Sequence, residues 1–312
     1  MILTITPNPA VDETYGLELL DVGGTNRVEV PLRRAGGKGL NVARIINAQA
    51  VPVIALAPVG GDNGRVFTGE LETAGVEHSL VHVAPQTRRS MALVEHGTGR
   101  TTVINERGGA LSDAEWGTLR EQVLALLDQG TTVLVASGSL PEGADEDFYP
   151  WCVREAKRRS IPSIIDTSGP ALLAAAHAGA TVLKPNHHEL AAITGTDSVL
   201  DGARVLLEAG AENVYASAGE DGLFHFDART PGRWDATWLP EPLVGNPTGA
   251  GDAVVAAIAV GLYRGEDHVS VILPRAAAWS ASAVLMPAAG ELHPSHPELA
   301  KKLIFSSSTT RD

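Results

Sequence analysis

The residues from Gly245 to Ala253 read GNPTGAGDA and lead into an apolar, helix-like run, AVVAAIAVGLY. Gly249, Ala250 and Gly251 carry little or no side chain where that helix begins, so their backbone N–H groups can converge on an anion such as phosphate. Asp252 follows directly and has no obvious partner in the sequence. A carboxylate there can accept the proton of a hydroxyl that attacks the phosphate. The same pattern fits an ordinary helix start whose acidic residue favours the dipole, and the segment alone does not separate the two readings.

A second glycine-rich helix start, AGGKGLN at 35–41, sets Lys38 among Gly36, Gly37 and Gly39. Glycines of this kind permit close backbone approach to a ligand, and the lysine adds a point charge suited to a phosphate or carboxylate. A flexible turn with a solvated lysine has the same composition. Only five lysines occur in the chain, and two of them, Lys38 and Lys184, lie inside Gly- or Pro-bearing motifs. Asp12 stands just beyond the first expected strand, where it can accept hydrogen bonds from sugar hydroxyls, although NPAVD alone reads as a turn.

Rival chemistries find less support. The P-loop pattern GxxxxGK[ST] is absent, and the glycines at 249 and 251 are followed at the sixth position of a dinucleotide fingerprint by Val254. His187-His188-Glu189 lacks the HExxH spacing of a zinc site, and adjacent histidines point to different sides of a helix. A Mg²⁺ held mostly by water and nucleotide phosphates needs fewer groups, and Asn186 and Glu189, three apart, are expected on one helix face.

Short β-like runs alternate with amphipathic helical ones, the pattern of a mostly parallel sheet covered by helices. Strands are expected at 2–6, 53–57, 132–136, 163–166, 181–183 and 213–216, and helices at 39–50, 65–74, 113–129, 145–159, 171–178, 187–194, 200–209, 250–264 and 275–285. Ser112 with Glu115 predicts a capping box for the third of these helices. Polar clusters fall directly after expected strands: Ser137-Gly138-Ser139, Asp166, Lys184-Pro185-Asn186 and Ser217. In an open parallel sheet those strand ends line the ligand crevice. Residues 11–34 and 86–107 break the alternation with strand-like patterns and a His96-Gly97-Thr98-Gly99 turn; they read as a small projecting β-sheet able to cover a site, or as two ordinary surface hairpins.

Composition narrows the classes further. A formal charge of −13 opposes non-specific binding to nucleic acid, and no run of 18 apolar residues suggests a membrane span. The N-terminal MILTITPNPAVDE lacks the basic start of a signal peptide, so a cytoplasmic protein is expected. Cys152, the sole cysteine, excludes an internal disulfide and reads as a packing residue.

TPNPAVD at 6–12, GGKGLNVAR at 36–44, Thr87-Arg88, SGSLPEG at 137–143, KPNHHEL at 184–190, SAGEDG at 217–222 and GAGD at 249–252 follow one another in an order that resembles the ribokinase or PfkB family of carbohydrate kinases, from about residue 1 to about 300. TPNPAVD and the lysine of GGKG resemble its phosphosugar branch, which contains 1-phosphofructokinase, tagatose-6-phosphate kinase and the minor type of 6-phosphofructokinase. The resemblance implies a ribokinase-like three-layer α/β/α core with a mostly parallel sheet and a small projecting β-sheet lid. The core takes residues 1–10, 35–85 and 108–305 and the lid 11–34 and 86–107, with a disordered tail at 306–312. It implies MgATP as donor, a ketohexose phosphate as acceptor, a bisphosphate as product and a homodimer formed through the lids.

By the same resemblance Asp252 is the base, and the amides of Gly249, Ala250 and Gly251 stabilise the transferring phosphoryl group. Asp12, Gly37 and Asn41 bind the sugar, while Arg27, Lys38 and Arg88 neutralise its phosphate with Ser139 nearby. Lys184, Asn186 and Glu189 serve the nucleotide phosphates and Mg²⁺, and Ser217, Gly219 and Gly222 shape the nucleotide pocket. Two other classes remain in view: a kinase of an unphosphorylated sugar or nucleoside, and a non-catalytic sugar-phosphate sensor. The chain departs from the family at Asn246, where the ribokinase branch tends to carry an aspartate associated with a monovalent cation, and at Asn246-Pro247-Thr248 as a whole. Neither potassium activation nor the identity of the sugar phosphate follows from the resemblance.

Overall fold

Branched apolar residues alternate along the central strands, and both faces of each strand are buried. Val133 and Val135 pack into one apolar cluster, Leu134 and Ala136 into the other, and the same division separates Ile2 from Leu3 and Ile164 from Ile165. Strands of this kind require a helical layer on each side.

The computed structural model describes residues 1–309 and supplies both layers. Its strands are β1 (Ile2–Ile5), β2 (Ala10–Leu17), β3 (Leu32–Gly36), β4 (Val53–Val59), β5 (His78–His82), β6 (Arg88–Glu95) and β7 (Thr101–Asn105). They continue with β8 (Val133–Ser137), β9 (Ser163–Asp166), β10 (Val182–Leu183), β11 (Asn213–Ser217), β12 (Leu223–Asp227), β13 (Arg233–Trp238) and β14 (Ile304–Thr309). The helices are α1 (Lys38–Ala48), α2 (Gly61–Ala74), α3 (Asp113–Asp128), α4 (Phe148–Arg158), α5 (Pro170–His177), α6 (His187–Thr194), α7 (Val199–Glu208), α8 (Ala250–Tyr263), α9 (Val269–Val284) and α10 (His296–Lys302).

One ten-stranded sheet runs in the order β14-β13-β12-β11-β10-β9-β8-β1-β4-β5. It is parallel from β11 to β5 and antiparallel from β11 to β14. Helices α1, α2, α8 and α9 bury their apolar faces on one side of it. Helices α3, α4, α5 and α7 cover the other. This is the three-layer α/β/α architecture that the sequence predicts. A separate four-stranded sheet, β3-β2-β6-β7, pairs β2 with β6 in parallel and is antiparallel elsewhere.

Several elements differ from the sequence reading. Strand β14 pairs with β13 over Arg233–Trp238, so the tail expected to be disordered from residue 306 is ordered strand as far as Thr309; positions 310–312 lie outside the described residues. Its serines misled because main-chain pairing at a sheet edge needs no apolar side chain. Helix α9 begins at Val269 and continues through Pro274, which reads as a breaker in sequence. The start of α2 at Gly61 is hidden by its glycines, and β12, β13 and α10 were not anticipated. The capping box of Ser112 with Glu115 forms as expected. Among the described residues no helix is long and apolar enough to cross a membrane.

Candidate active site

Because β1, β8, β9, β10 and β11 are parallel, their carboxyl ends share one edge, and the polar residues that follow them converge there. The two glycine-rich helix starts complete the edge. Gly249 caps α8 with φ +86°, and a Cβ there would lie 2.7 Å from the Cβ of Ala289, so backbone and space both demand glycine. Gly37 caps α1 with φ +118°, where a Cβ would lie 2.6 Å from Cγ2 of Thr6.

The first turns of α1 and α8 meet. Asn41 Nδ2 donates to Asp252 Oδ2 at 2.8 Å, joining residues 211 positions apart. Asp252 is 5% exposed, and burial, reinforced by the nearby Asp166 charge, pushes its carboxyl up to about 7 despite Lys38, Asn41 and Lys184. It is therefore poised to exchange a proton near neutral pH.

Asp166, at the end of β9, is fully buried and lies 3.3 Å from Lys38 Nζ and 3.4 Å from Lys184 Nζ. Burial alone would raise its carboxyl, but Lys184 and Lys38 outweigh burial and hold it below the ordinary aspartate value. Lys38 in turn is pushed above the ordinary lysine value, chiefly by Asp166 and against the cost of burial. A Cβ on Gly251 would lie 3.1 Å from Lys184 Nζ, which places that ammonium against the start of α8. An acidic anchor thus aims two lysines at the edge where the α8 amides point.

These residues line a cleft of about 670 Å³. Asp12, Gly37, Lys38, Asn41, Arg88, Lys184, Asn186, Ser217, Gly219, Gly222 and Gly249 to Asp252 all face it. Asp12 and Arg88 come from the small sheet, on neighbouring β2 and β6. Burial raises the Asp12 carboxyl to about 6, tempered by Arg88, Arg44, Arg34 and Ser90. Leu223, Trp238, Pro242 and Leu243 give the other end of the cleft an apolar wall, where Gly219 and Gly222 both take positive φ. Ser139 opens into an adjoining cavity of about 220 Å³ shared with Lys38, Arg88 and Glu189.

Some expectations are corrected. Asn186 is the N-cap of α6 rather than a residue on its face: Glu189 N donates to Asn186 Oδ1 at 2.9 Å, and Asn186 N donates to Glu189 Oε2 at 2.8 Å. Asn186 faces the cleft and Glu189 the adjoining cavity, with Glu189 Oε1 3.9 Å from Lys38 Nζ. That sparse oxygen set suits a Mg²⁺ that keeps most of its waters, and among the described residues no cluster of three or more His, Cys, Asp or Glu could hold a metal by itself. Arg27 lies in the exposed connection between β2 and β3 and does not line the cleft.

Sequence reasoning missed two supports. Asp166 was visible as an acid closing an apolar strand, but nothing in the sequence pairs it with Lys38 and Lys184. Asn8, inside TPNPAVD, receives Arg88 Nε on its carbonyl at 3.2 Å and on Oδ1 at 3.1 Å, and donates to Ser139 Oγ at 3.1 Å. Asn246, the departure from the family pattern, uses its amide to bridge Pro287 O at 3.3 Å and Thr248 N at 3.0 Å.

A carboxylate that titrates near neutrality, beside convergent amides and two ammonium groups at the strand ends of a covered sheet, can move a proton while a phosphate is held. Fold and site together define an α/β phosphotransferase of the small-molecule kinase class. Residues 5–292 match the model of the pfkB family carbohydrate kinases, and the chain belongs to that family. It is 34% identical to a tagatose-6-phosphate kinase of Staphylococcus epidermidis over 273 residues, covering 85% of this chain and 86% of the relative. A 1-phosphofructokinase of Bacillus subtilis is 34% identical over 272 residues with the same coverage. The crystal structure of Escherichia coli phosphofructokinase-2 in complex with potassium superposes with a TM-score of 0.88 at 27% identity, covering 96% of this chain and 98% of that one.

Proposed function

We propose that this carbohydrate kinase transfers the γ-phosphoryl group of ATP to a hydroxyl of a ketohexose phosphate, giving a bisphosphate and ADP. The observation that supports this most is the buried Asp252, held by Asn41 directly behind the amides of Gly249, Ala250 and Gly251 at the floor of a long cleft. Asp252 accepts the proton of the attacking hydroxyl. The hydroxyl oxygen forms the new bond to phosphorus, the bond from phosphorus to the β,γ-bridging oxygen breaks, and ADP leaves. The α8 amides and Lys184 stabilise the charge on the transferring group. Asn186 and Glu189 would be the protein-side oxygens for a Mg²⁺, which when bound would neutralise charge on the nucleotide phosphates. Ser217, Gly219 and Gly222 shape the place of the nucleotide beside the apolar wall. Asp12, Gly37 and Asn41 hold the sugar, and Arg88 with Lys38 and Ser139 receives its phosphate.

ADP release should be measured over fructose 1-phosphate, tagatose 6-phosphate, fructose 6-phosphate, fructose and a nucleoside. Turnover is expected to be fastest on a ketohexose phosphate, and Arg88→Ala should raise its KM by about 10-fold or more, the scale of a charge-assisted hydrogen bond. Faster turnover of an unphosphorylated compound, with KM indifferent to Arg88, would favour that class instead. Tight binding without turnover would mark a sensor.

The small sheet supplies Asp12 and Arg88 from one side of the cleft, which suits a lid. Its β3 and β7 leave Leu32 53%, Val103 48% and Ile104 48% exposed. Covering them against a second copy removes that apolar surface from water, so light scattering is expected to report a homodimer. A monomer at micromolar concentration would exclude a stable pair.

A further inference from the structure

One arginine ties the small sheet to the loop behind the start of α8. Arg34 on β3 stands directly opposite Asp12 on β2, and side chains paired across neighbouring strands share one face of the sheet. From that face Arg34 Nη1 donates to the Ala289 carbonyl at 3.5 Å and Nη2 donates to Glu291 Oε1, joining residues 255 and 257 positions apart. Ala289, Gly290 and Glu291 belong to the connection from α9 to α10, and neither they nor Arg34 line the cleft. We infer that Arg34 and Glu291 are positioning residues for phosphoryl transfer: they strap the small sheet to the loop that backs the α8 amides, so that the seat of the sheet over the acceptor also fixes those amides. The inference rests on the kinase reading of the cleft and extends it to two residues outside the cleft.

What the loop touches decides what the strap can do. Gly249, the first of the amide-bearing residues, packs so closely against it that a Cβ would lie 2.7 Å from the Cβ of Ala289 and 3.5 Å from the N of Gly290. Gly290, at φ +84°, faces the other helix start: a Cβ there would lie 3.4 Å from the Cα of Asn41, whose side chain holds Asp252. Asn246 fastens the earlier part of the loop, donating from N to Val284 O at 2.8 Å and from Nδ2 to Pro287 O at 3.3 Å. In packing this close the loop does not shift without moving Gly249 or Asn41. A misplacement of about 1 Å in groups that face a reacting phosphoryl can cost about 10²-fold in rate.

The neighbouring charges leave Arg34 and Glu291 to each other. Arg44, the other guanidinium against the loop, is taken by Glu70, which also accepts from Ala35 N at 2.9 Å and so anchors the end of β3 to α1 and α2. Among the described residues Arg34 is the one cation within ion-pair distance of Glu291. The two side chains are 25% and 35% exposed, and a pair so open to water adds little to global stability. Its effect lies in where it holds the loop. Asp12 connects it to the acceptor, because the Asp12 carboxyl sits in the field of Arg34 and a Cβ at Gly36, next along the same face of β3, would collide with that carboxylate.

Steady-state kinetics of the full chain with MgATP and the best acceptor of the panel test this, on Glu291→Ala, Glu291→Gln, Arg34→Met and the double variant that combines Arg34→Met with Glu291→Ala. Glu291→Ala leaves the Arg34 charge beside Asp12, so its loss should fall on kcat, by about 10-fold or more, with both KM values within about twofold of wild type. Glu291→Gln keeps a neutral acceptor for Arg34 and should recover part of the rate. The double variant should turn over no more slowly than Arg34→Met, because both substitutions break one interaction. Melting temperatures should stay within a few degrees of wild type, and Arg65→Met, which breaks an exposed pair on α2, should leave kcat unchanged. The inference is overturned, with the kinase reading left in place, by a kcat for Glu291→Ala within about twofold of wild type. It is equally overturned by a loss confined to the acceptor KM, by losses that multiply in the double variant, or by a kcat loss matched by a large fall in Tm. A wild-type chain that turns over no sugar phosphate overturns the reading beneath it, and the inference with it.

Discussion

Replacing Asp252 by Asn is expected to lower kcat by roughly 10²–10⁴-fold, the usual contribution of a positioned general base. The amide is nearly isosteric and Asn41 can still donate to its oxygen, so binding of ATP should change little. The pH profile carries the same signature. Asp252 titrates at about 7 and must be ionised to accept a proton, so kcat/KM of the wild type should fall as pH drops through about 7, with Asp12 adding a second loss near 6. The variant should lose the fall at about pH 7 and keep only the one near 6. Stability moves in the opposite sense: a carboxyl whose folded pKa lies above its unfolded value of about 3.8 costs folding free energy as pH rises from there through 7, because the buried charged form is disfavoured. Asp252→Asn should therefore melt no lower than wild type at pH 8. Turnover near the wild-type rate, measured by coupled ADP release, would remove Asp252 from the proton path.

How much of this was legible without coordinates depended on whether a residue's role is local. Strand ends and helix starts are local. In a parallel sheet the residue after each apolar run must sit at the carboxyl edge, so Ser137, Asp166, Lys184 and Ser217 could be placed on one rim from spacing alone. The glycine runs at 36–39 and 249–251 likewise declared backbone approach. Roles that depend on which helix docks on which strand were hidden. Asn41 reaches Asp252 because α1 packs on α8, and Lys38 reaches Asp166 across 128 positions. The N-cap role of Asn186 was recoverable, since an Asn followed three residues later by Glu is a capping signal; reading the pair as one helix face overlooked it. Arg27 lies in none of those motifs and was assigned by the resemblance alone; the exposed connection between β2 and β3 that carries it does not line the cleft.

The largest stability effect is expected at Asp166. The buried carboxylate neutralises Lys38 and Lys184 together, and Lys184 itself is only 3% exposed. Asp166→Asn removes the charge and leaves two ammonium groups facing each other across an amide. Breaking a buried ion pair from one side costs about 3–5 kcal/mol, because the partner stays buried and uncompensated. Calorimetry should show a fall in Tm of many degrees, and a change of only a degree or two would mean that water already solvates the two lysines. A second effect reports the field of the Asp166 charge at Asp252. The Asp166 charge helps to hold Asp252 high, so removing it should lower the Asp252 pKa and move the acid limb of kcat/KM to lower pH. The same loss of charge should bring the Lys38 ammonium down toward the ordinary lysine value, since Asp166 is the first of the charges that hold it above. Asp166→Leu, a second neutral side chain of different shape and polarity, should leave the acid limb where Asp166→Asn puts it if the field of the carboxylate is the cause.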